Sequence, residues 1–520
     1  MEINLEQHTQ LVKALKEQKP FPHPADDIEV LETHISSVLL AGDYAYKIKK
    51  PLDFGFLNFL ALADRKHFCE EEIRLNRRLA PQIYLDTVAI TGSLDAPRIG
   101  GDGEVIDYAV KMRRFDQSQL LDKLLAAGKV GNNIIDSIAD IVADFHARAA
   151  VAGDETPLGS PESVWAPVAQ NFEQIRPLLS NDAQLDQLDR LEAWSEAEYR
   201  KLEALLAERK AGGFIRECHG DMHLGNITLV DGEVVIFDGI EFNDAFRWID
   251  VISEMAFLTM DLTDRGQPGM AQRLMNRYIE NTGDYEGLRL LRFYQVYRAL
   301  VRAKIAGFRL AQELSDEERE QVTAAYQSYS DLAERFTRRQ SPAIVLMRGV
   351  SASGKSTLGQ QLLESLGAFR VRSDRERKRL FADQAENSGE LNAGLYAPEL
   401  TEKTYARLLD LAGLLTAAGY PVIVDATFLK QSQIAPFAEL ATASNIPLTV
   451  VTTTAEREIL EQRLRDRTGE ADNISDAGID VLRHQLEHIE PVPDGLREIE
   501  VDTGKPVDAD AIADTIRENA

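Results

Sequence analysis

Hydrophobic and polar positions follow a strand-like period near the start of the chain and then a helical one. Between residues 39 and 48, two short apolar runs flank Gly42-Asp43, a pair typical of hairpin turns, and they predict two paired strands. Helical spacing over about 62–79, ended by Pro81, predicts a helix after the hairpin. The chain therefore opens with a small region rich in strands.

Helical spacing dominates the next part of the chain. It extends over 132–148 and 163–210, and it returns from Arg247 to Arg339. A strand is predicted at IDYAVKMRRF, from Ile106, and irregular strands interrupt the helices at CHGDMHLGNITLVDGEVVIFDGIEF, from Cys218. Strands followed by helices that surround a short β segment predict an α+β fold.

The pattern changes at RRQSPAIVLMRG. Pro342 ends a helix, and the apolar residues 343–347 predict a buried strand. Helices then alternate with further strands, predicted near Phe369, Val422, Pro447 and Glu498. This alternation predicts an α/β fold with a parallel sheet, so we expect a boundary near Gln340, between domains 1–340 and 341–520.

Composition limits the partners and the compartment. The chain has 520 residues and a net charge of −27, and this charge would repel the phosphate backbone of a nucleic acid. It does not exclude a nucleic acid as a partner of the C-terminal domain. A nucleotide and a small molecule are the favoured partners. Cys69 and Cys218 lie far apart, which predicts reduced thiols. The apolar run 411–424 is broken by Gly419 and Pro421, so we expect no membrane span there. We expect a cytoplasmic protein. The sequence leaves the oligomeric state undetermined.

A phosphate-binding motif opens the C-terminal domain. GVSASGKST matches the Walker A pattern G-x-x-x-x-G-K-[ST], between a predicted strand and a predicted helix. Backbone N–H groups of such a loop face phosphate oxygens, the lysine reaches the β- and γ-phosphates, and the next hydroxyl ligates Mg²⁺. The candidate nucleotide-binding residues are Gly349, Ser351, Ser353, Gly354, Lys355, Ser356 and Thr357, with Ser356 also the candidate metal ligand. A glycine- and serine-rich turn without a ligand is the alternative.

Charged residues follow two of the C-terminal strands. Asp425 ends a strand in VIVDATF, where parallel folds place groups that face the ligand, and it is a candidate Mg²⁺ ligand. RSDRERKRL offers Asp374 as a general base, with Arg377 and Lys378 as cations for a charged substrate. A turn aspartate and a solvated helix start are the alternatives.

A pair of arginines lies on a later helix. In EQRLRDR, Arg463 and Arg467 are four residues apart and share one helix face. The pair would suit a lid that neutralises the transferred phosphoryl group, or an ordinary exposed face.

These C-terminal motifs resemble a known group of kinases. GVSASGKST, RSDRERKRL, AGYPVIVDATF and EQRLRDR are similar to the AAA-type zeta-toxin and polynucleotide-kinase group of P-loop kinases, over about 343–503. The resemblance implies a 2-3-1-4-5 parallel sheet, ATP or GTP as donor, Asp374 as base and Arg377 for the substrate. It also implies Arg463 or Arg467 as lid arginine. It implies no single substrate, because the group phosphorylates polynucleotide ends, sugars, nucleotide sugars and antibiotics.

The stretch CHGDMHLGN allows two interpretations. His219, Asp221 and His223 alternate and could bind zinc from one strand face, although a fourth ligand is not evident nearby. Phosphoryl transfer needs instead a base, an amide oxygen on Mg²⁺ and a second aspartate after a hairpin. Asp221 and Asn226 have the spacing of the protein-kinase loop H-R-D-x-x-x-x-N, and Asp238 follows the strand VVIF.

The kinase interpretation is favoured because it accounts for more of these residues. Asp221 is then the base, and Asn226 and Asp238 are the Mg²⁺ ligands. His219 keeps a structural role, and we assign none to His223.

An upstream lysine and glutamate complete the kinase pattern. YAYK, which ends in Lys47, is similar to the V-A-I-K strand, whose lysine binds the α- and β-phosphates. Lys49 lies on the same strand face and competes for this role. In the helix FCEEEIRLNRRL, Glu72 is the favoured partner of the lysine, with Glu70 and Glu71 as alternatives.

HGDMHLGN, IFDGIEF, YAYK and this glutamate helix resemble the aminoglycoside phosphotransferase and choline-kinase group, over about 29–306. The resemblance implies a two-lobed, protein-kinase-like α+β fold that uses ATP, with YAVKMRRF as the adenine hinge. No Gly-rich loop precedes YAYK. In the corresponding ETHISSVLL, we expect Ser36, Ser37 and backbone N–H groups to hold the phosphates.

The two halves together predict a bifunctional, Mg²⁺-dependent kinase. Each domain would transfer the γ-phosphoryl group of ATP or GTP to a hydroxyl of a small molecule. Two alternatives stay open: a C-terminal polynucleotide 5′-hydroxyl kinase, and one domain that binds nucleotide as a regulatory module without chemistry. The sequence indicates neither the substrates nor a pathway.

Overall fold

The computed structural model describes residues 2–55, 57–310, 314–381, 398–467 and 479–518. The chain forms two compact units, and neither is a continuous segment. The first unit is Met1–Asp261 with Tyr297–Tyr326, and the second is Leu262–Val296 with Gln327–Ala520. The boundary near Gln340 stays a prediction.

The first unit begins with an antiparallel sheet. Its strands are β1 Ile28–Glu32, β2 Ser36–Ala41, β3 Tyr44–Lys49, β4 Tyr84–Ser93, β5 Ala96–Ile99 and β6 Val105–Arg113. They lie in the order β1-β2-β3-β6-β4-β5. The predicted hairpin joins β2 to β3 through Gly42-Asp43. Gly42 has φ +58°, and a Cβ there would lie 2.5 Å from the carbonyl oxygen of Pro24, so the turn requires glycine.

Strands β4 and β5 were not predicted from the sequence. The exposure along β4 does not alternate between buried and exposed, and its pairing with β6 is irregular between Tyr84 and Asp86. An irregular strand of this kind lacks the period of two by which strands are recognised.

Helices make up most of the remaining chain before the second sheet. They are α1 Leu5–Gln18, α2 Leu62–Asn76, α3 Leu121–Ala126, α4 Asn132–Arg148, α5 Pro161–Ile175, α6 Asp182–Ala211, α7 Asp244–Arg247, α8 Val251–Asp264, α9 Pro268–Thr282, α10 Leu288–Leu310 and α11 Asp316–Thr337. Two short strand pairs lie among them: β7 Ile215–Glu217 with β10 Trp248–Asp250, and β8 Ile227–Val230 with β9 Glu233–Ile236. Helix α2 packs on β4 and β6 through an apolar cluster that includes Cys69, Ile73, Val110 and Met112.

A parallel sheet organises the second unit, as predicted. Its strands are β11 Ile344–Arg348, β12 Phe369–Arg372, β13 Val422–Asp425, β14 Leu448–Thr454 and β15 Arg497–Asp502. The order β12-β13-β11-β14-β15, with parallel neighbours, is the 2-3-1-4-5 order that the resemblance implied. The helices are α12 Lys355–Leu366, α13 Ser373–Leu380, α14 Pro398–Ala417, α15 Gln431–Ser444, α16 Arg457–Arg467, α17 Ile479–His488 and α18 Ala509–Arg517. Among the described residues, no helix has the length and apolarity that crossing a bilayer requires.

Helix α9 belongs to the second unit, where it packs on α12 and β12. Its Glu280, with a side chain only 4% exposed, contacts three arginines. The distances are 3.1 Å to Arg370 Nε, 3.8 Å to Arg372 Nη1 and 3.7 Å to Arg375 Nε. Burial alone would raise the pKa of the Glu280 carboxyl, but the three guanidinium groups lower it. Glu280, which precedes the predicted boundary near Gln340, thus neutralises arginines of β12 and α13.

Removal of this buried charge should destabilise the second unit. We expect Glu280→Gln to lower its free energy of unfolding by about 3 kcal/mol, because the arginines lose their common counter-charge. Urea denaturation measures the change. Glu364→Gln is the control, since the Glu364 carboxylate is more exposed, pairs with Arg273 at 2.7 Å and accepts a hydrogen bond from the neutral Gln360 at 3.0 Å. Glu364→Gln should lower the free energy of unfolding by less than about 1 kcal/mol. Equal losses in the two variants would contradict this account.

Candidate active sites

The catalytic loop of the first unit follows β7 and ends at β8. Asp221 and Asn226 lie side by side in it. The Asn226 Nδ2 donates to the backbone oxygen of Asp221 at 3.0 Å and to its Oδ2 at 3.2 Å. The side chain of Asp221 is 38% exposed, whereas Asn226 is buried. The predicted base and the predicted metal ligand are therefore neighbours.

Helix α8 holds this loop through two buried carboxylates. The Glu254 Oε1 accepts the N–H groups of His219 at 2.8 Å and Gly220 at 2.7 Å, and its Oε2 accepts from His146 Nε2 at 2.8 Å. Two turns later, the Asp261 Oδ2 accepts the N–H of Leu224 at 2.9 Å. Because these are buried backbone donors, the two carboxylates determine where the loop runs.

His219 has a structural role in the loop. Its Nε2 lies 2.8 Å from the carbonyl oxygen of Phe237, and its Nδ1 accepts the N–H of Asp221. Burial lowers the pKa of the imidazole, which favours a neutral ring that donates from Nε2. With both nitrogens bonded to backbone groups, His219 does not join Asp221 and His223 as a zinc ligand.

A different trio of possible metal ligands lies beneath the loop. The ligand atoms of His146, Cys218 and Glu254 are within 4.8 Å of one another, and all three residues are buried. Burial raises the pKa of the Cys218 thiol well above its usual value, and both Glu254 oxygens accept hydrogen bonds. The trio therefore fits a hydrogen-bonded support for the loop better than a metal site.

Lys47 lies where the sheet, α2 and the segment after β9 meet. Its Nζ donates to Glu72 Oε1 at 2.9 Å and to Asp238 Oδ1 at 2.6 Å. Burial alone would lower the pKa of this ammonium, but Asp238 and Glu72 raise it well above its usual value. Three predicted site residues, the lysine, the glutamate and the second aspartate, are thus in direct contact.

Lys49 shares the same carboxylate but has different surroundings. It is fully buried and donates to Glu72 Oε2 at 2.6 Å and to Glu241 Oε1. Glu71 instead faces Arg74, at 2.7 Å. Of the two competing lysines, Lys47 contacts the candidate metal ligand, and Lys49 supports Glu72 from the interior.

Asp238 has an unusual backbone conformation. Its φ is +64°, in the left-handed region that few residues other than glycine adopt. Its N–H donates to the Tyr84 hydroxyl at 3.1 Å, and the next N–H, of Gly239, donates to Asn76 Oδ1 at 2.7 Å. These bonds from the sheet and from α2 stabilise a strained turn that directs the carboxylate toward Lys47.

The donor atoms of the first unit suit Mg²⁺. The amide nitrogen of Asn226 is bonded to Asp221, so its oxygen is the atom that can ligate a cation. Asp238 supplies a half-exposed carboxylate. Oxygen ligands of this type are those that Mg²⁺ prefers.

The surroundings of the candidate base Asp221 favour its ionised form. Burial would raise the pKa of its carboxyl, but the nearby imidazole of His223 and the charge of Arg302 lower it to about 2. His223 Nε2 lies 3.6 Å from Asp221 Oδ2. His223, to which we assigned no role, therefore contacts the candidate base.

The turn between β1 and β2 differs from our expectation. Ser36 and Ser37 begin β2 and are buried. The Ser37 hydroxyl donates to Glu32 Oε2 at 2.9 Å and lies 3.0 Å from His8 Nε2. The expectation that Ser37 holds phosphate with its side chain is wrong, because that hydroxyl is bonded to Glu32 and His8.

The phosphate loop of the second unit connects β11 to α12. Gly349 and Gly354 have φ +145° and +89°, and a Cβ on Gly349 would lie 2.6 Å from the Thr453 carbonyl oxygen. Ser353 and Thr453 hydroxyls are 2.7 Å apart. Lys355 Nζ donates to the carbonyl oxygen of Val350 at 2.7 Å. The loop therefore has the tight backbone that phosphate binding requires.

Arg463 lies beside this loop. Its Nη1 donates to the Ala352 carbonyl oxygen at 3.2 Å and to the Thr503 hydroxyl at 2.9 Å. The structure thus brings the predicted lid arginine to the phosphate loop. The side chain of Arg467 lies outside the described part of the chain.

The candidate base of the second unit is close to several charges. Arg377 Nη1 lies 3.8 Å from Asp374 Oδ1. Burial and the charge of Asp425 raise the pKa of the Asp374 carboxyl, opposed by Arg377 and Arg372. Lys378 is exposed on α13. Of the predicted substrate residues, Arg377 therefore reaches the candidate base.

Asp425 has the properties of a cation ligand. It is 5% exposed, and its Oδ2 accepts no hydrogen bond from the described residues, with Arg372 Nε at 3.9 Å. A buried carboxylate oxygen that accepts no hydrogen bond needs a positive charge nearby. Ser356, at the start of α12, is partly exposed and offers a hydroxyl, whereas Thr357 is exposed. These oxygens fit Mg²⁺.

The supporting carboxylates that were missed in the sequence include Glu241, Glu254 and Glu280. The first two had a recognisable signal. Glu254 interrupts the apolar helix VISEMAFLTM, and Glu241 lies between the apolar residues of GIEF. A carboxylate in an apolar run indicates a buried partner. Glu280 had no such signal, because the polar residues Asn281 and Thr282 follow it and it does not lie within an apolar run.

Two family models match the chain. The model of the phosphotransferase enzyme family matches residues 62–291, and the model of the AAA domain matches residues 344–492. The first segment includes Asp221, Asn226 and Asp238, and the second includes the phosphate loop and Asp374. The resemblance of the two halves to these two groups is confirmed.

Uncharacterised proteins of Mycobacterium tuberculosis and Mycobacterium bovis are 31% identical to the chain over 453 residues. The match covers 86% of this chain and 88% of each relative. A match of this length cannot omit either family segment, so the relatives share both.

Solved structures of kinases are more distant. A gluconokinase from Sinorhizobium meliloti is 21% identical and has a TM-score of 0.25, over 35% of this chain and 91% of that chain. A choline/ethanolamine kinase family protein from Mesorhizobium loti is 12% identical and has a TM-score of 0.36, over 64% and 99%. These TM-scores are too low to support an argument about this chain.

The hydrogen bonds of Glu254 lead to a prediction about the catalytic loop. Glu254→Leu leaves the His219 and Gly220 N–H groups and the His146 ring without their acceptor. We expect the free energy of unfolding of the first unit to fall by roughly 3 kcal/mol or more. Urea denaturation measures the loss, and hydrogen exchange of the two amides should become faster.

The matched control removes only one of the three donors. His146→Phe leaves Glu254 bonded to both backbone N–H groups, so their exchange should stay slow and the loss of stability should be less than half as large. Unchanged amide exchange in Glu254→Leu would show that the carboxylate does not hold the loop.

Proposed function

We propose that this chain, which belongs to the same two-part family as its mycobacterial relatives, is a bifunctional ATP-dependent kinase of small molecules. The observation that carries the proposal is the contact of Lys47 with Glu72 and Asp238, near a loop that pairs Asp221 with Asn226. Lys47 and Asp238 are 191 positions apart, and together these residues have the types that a phosphoryl-transfer site uses for its lysine–glutamate pair, its base and its metal ligands.

In the first unit, Asp221 accepts the proton of an acceptor hydroxyl. The hydroxyl oxygen forms a bond to the γ-phosphorus, and the bond from that phosphorus to the β-phosphate oxygen breaks. The products are a phosphorylated small molecule and a nucleoside diphosphate. Lys47, oriented by Glu72, binds the phosphates of the nucleotide. Asn226 and Asp238 would hold Mg²⁺, which neutralises phosphate charge when bound.

In the second unit, the phosphate loop and Lys355 bind the nucleotide. Ser356 and Asp425 would hold Mg²⁺. Asp374 accepts the acceptor proton, and Arg377, 3.8 Å from it, orients the acceptor. Arg463 contacts the loop from α16 and supplies positive charge beside the phosphates.

Inactivation of each site in turn tests the proposal. Asp221→Asn should lower the activity of the first site by about 10²- to 10⁴-fold, because the acceptor proton loses its base. Lys355→Ala should abolish the activity of the second site. Purified variants are incubated with Mg·ATP and a metabolite mixture, and phosphorylated products are identified by mass spectrometry.

Each variant should remove its own set of products and leave the other set. Asp231→Asn, in the turn between β8 and β9, and Lys403→Ala, on the exposed side of α14, are the matched controls and should remove none. Products that persist in both active-site variants would refute the proposal, and so would an absence of products in the wild-type chain.

The two sites should differ in their dependence on pH. A general base works when it is ionised, so activity is lost as the pH falls through its pKa. The pKa of Asp221 is lowered to about 2, whereas that of Asp374 is raised. We expect the activity that survives in Asp221→Asn to fall at a higher pH than the activity that survives in Lys355→Ala. Initial rates of ADP formation across the acid range measure this, and coincident profiles would contradict it.

A further inference from the structure

A side chain from outside the phosphate loop is bonded to one of the loop's N–H groups. The N–H of Ser351 donates to Gln485 Oε1 at 2.7 Å. Gln485 lies on α17, 134 positions later in the chain. Backbone N–H groups are the part of such a loop that binds phosphate oxygens. Gln485 therefore stands at a position where a nucleotide phosphate would bind.

The contact is part of a packed interface. Leu482, one turn before Gln485, is 1% exposed and packs in an apolar cluster with Val350 and Ala352 of the loop. Leu460 and Leu464 of α16 complete the cluster. Because Leu482 fixes α17 against the loop, the neighbouring amide is positioned on the Ser351 N–H.

Other side chains contact the loop at different atoms. Arg463 donates to the carbonyl oxygen of Ala352, and Thr503 donates to that of Ser353, at 2.8 Å. A phosphate oxygen is an acceptor and does not compete for a carbonyl oxygen. The amide oxygen of Gln485 is also an acceptor, so it and a phosphate oxygen compete for the same N–H of Ser351.

We propose that Gln485 is a nucleotide-specificity residue of the second site, which a phosphate group must displace from Ser351. This inference rests on the proposed function, in which the loop binds nucleotide. Ser351 lies four positions before Lys355, the residue that reaches the β- and γ-phosphates of a nucleotide. We expect the competition at the Ser351 N–H to concern these phosphates, so it affects nucleotides with two or three phosphates and spares nucleoside monophosphates.

Two substitutions of Gln485 should have opposite effects. Gln485→Leu removes the competing acceptor and leaves the Ser351 N–H without a partner until phosphate binds. The dissociation constants of Mg·ATP and Mg·ADP should fall by about 3- to 10-fold, and that of AMP should not change. Gln485→Glu places a stronger, charged acceptor at the N–H and repels phosphate, so ATP should bind at least about 10-fold more weakly.

Isothermal titration of the full chain with Mg·ATP, Mg·ADP and AMP measures these constants. The binding event of the second site is identified as the one that Lys355→Ala removes. Glu487→Leu, on the exposed side of α17, is the matched control and should leave all three constants unchanged. Hydrogen exchange of the Ser351 amide provides a second measurement, and Gln485→Leu should make it faster.

The outcomes separate this inference from the proposed function. Shifts in opposite directions for the two variants, confined to ATP and ADP, support the competition. Unchanged constants, shifts in the same direction or unchanged exchange of the Ser351 amide overturn it, while nucleotide binding at the second site still stands. If the wild-type chain shows no binding event that depends on Lys355, the proposed function of the second site fails, and this inference fails with it.

Discussion

A buried series of charges is the constraint on which the first unit depends. Asp238, Lys47, Glu72, Lys49 and Glu241 alternate in sign, and each contacts the next. Glu72 and Lys49 are fully excluded from water. A buried charge without its partner costs several kcal/mol, so β3, α2 and the segment after β9 are stable only when they are together. The geometry of the candidate site is thus a requirement of folding.

The register of β3 follows from the same constraint. Lys47 and Lys49 share one face of the strand, and Tyr46 and Ile48 on the other face lie in an apolar cluster against β2 and β6. A shift of one residue would place both lysines in that cluster and both apolar residues at Glu72. The two faces therefore allow a single register, and that register directs Lys47 to Asp238.

The parts of the structure that could be predicted from the sequence are those with local patterns. The phosphate loop, the Gly42-Asp43 hairpin and the spacing from Asp221 to Asn226 each depend on residues that are close in the chain. Distant partners that lie outside the kinase motifs could not be assigned, because no pattern connects Lys49 to Glu241 or Glu280 to Arg370. The irregular strand β4 was missed because it lacks alternation. Ser37 was misassigned because its partner His8 lies on α1, which the motif does not include.

The two candidate sites place their carboxylates in different electrostatic surroundings. In the second unit the charge of Asp425 acts on the candidate base Asp374, and like charges at short range oppose ionisation. In the first unit Lys47 is bonded to Asp238, so a fixed protein cation balances that carboxylate, and the imidazole of His223 lies 3.6 Å from Asp221. In the second unit Arg377 lies 3.8 Å from Asp374 and Arg372 lies 3.9 Å from Asp425, and the pKa of Asp374 stays raised.

This difference makes the second site more dependent on a bound cation. A divalent ion at Asp425 would offset the carboxylate charge that, together with burial, opposes ionisation of Asp374. It would also satisfy the buried Oδ2 of Asp425, which accepts no hydrogen bond from the described residues. The same ion would therefore favour ionisation of Asp374 and also give the buried Asp425 oxygen a partner. In the first unit, the ammonium of Lys47 already balances the charge of Asp238, so a bound cation would change the electrostatics of that site less.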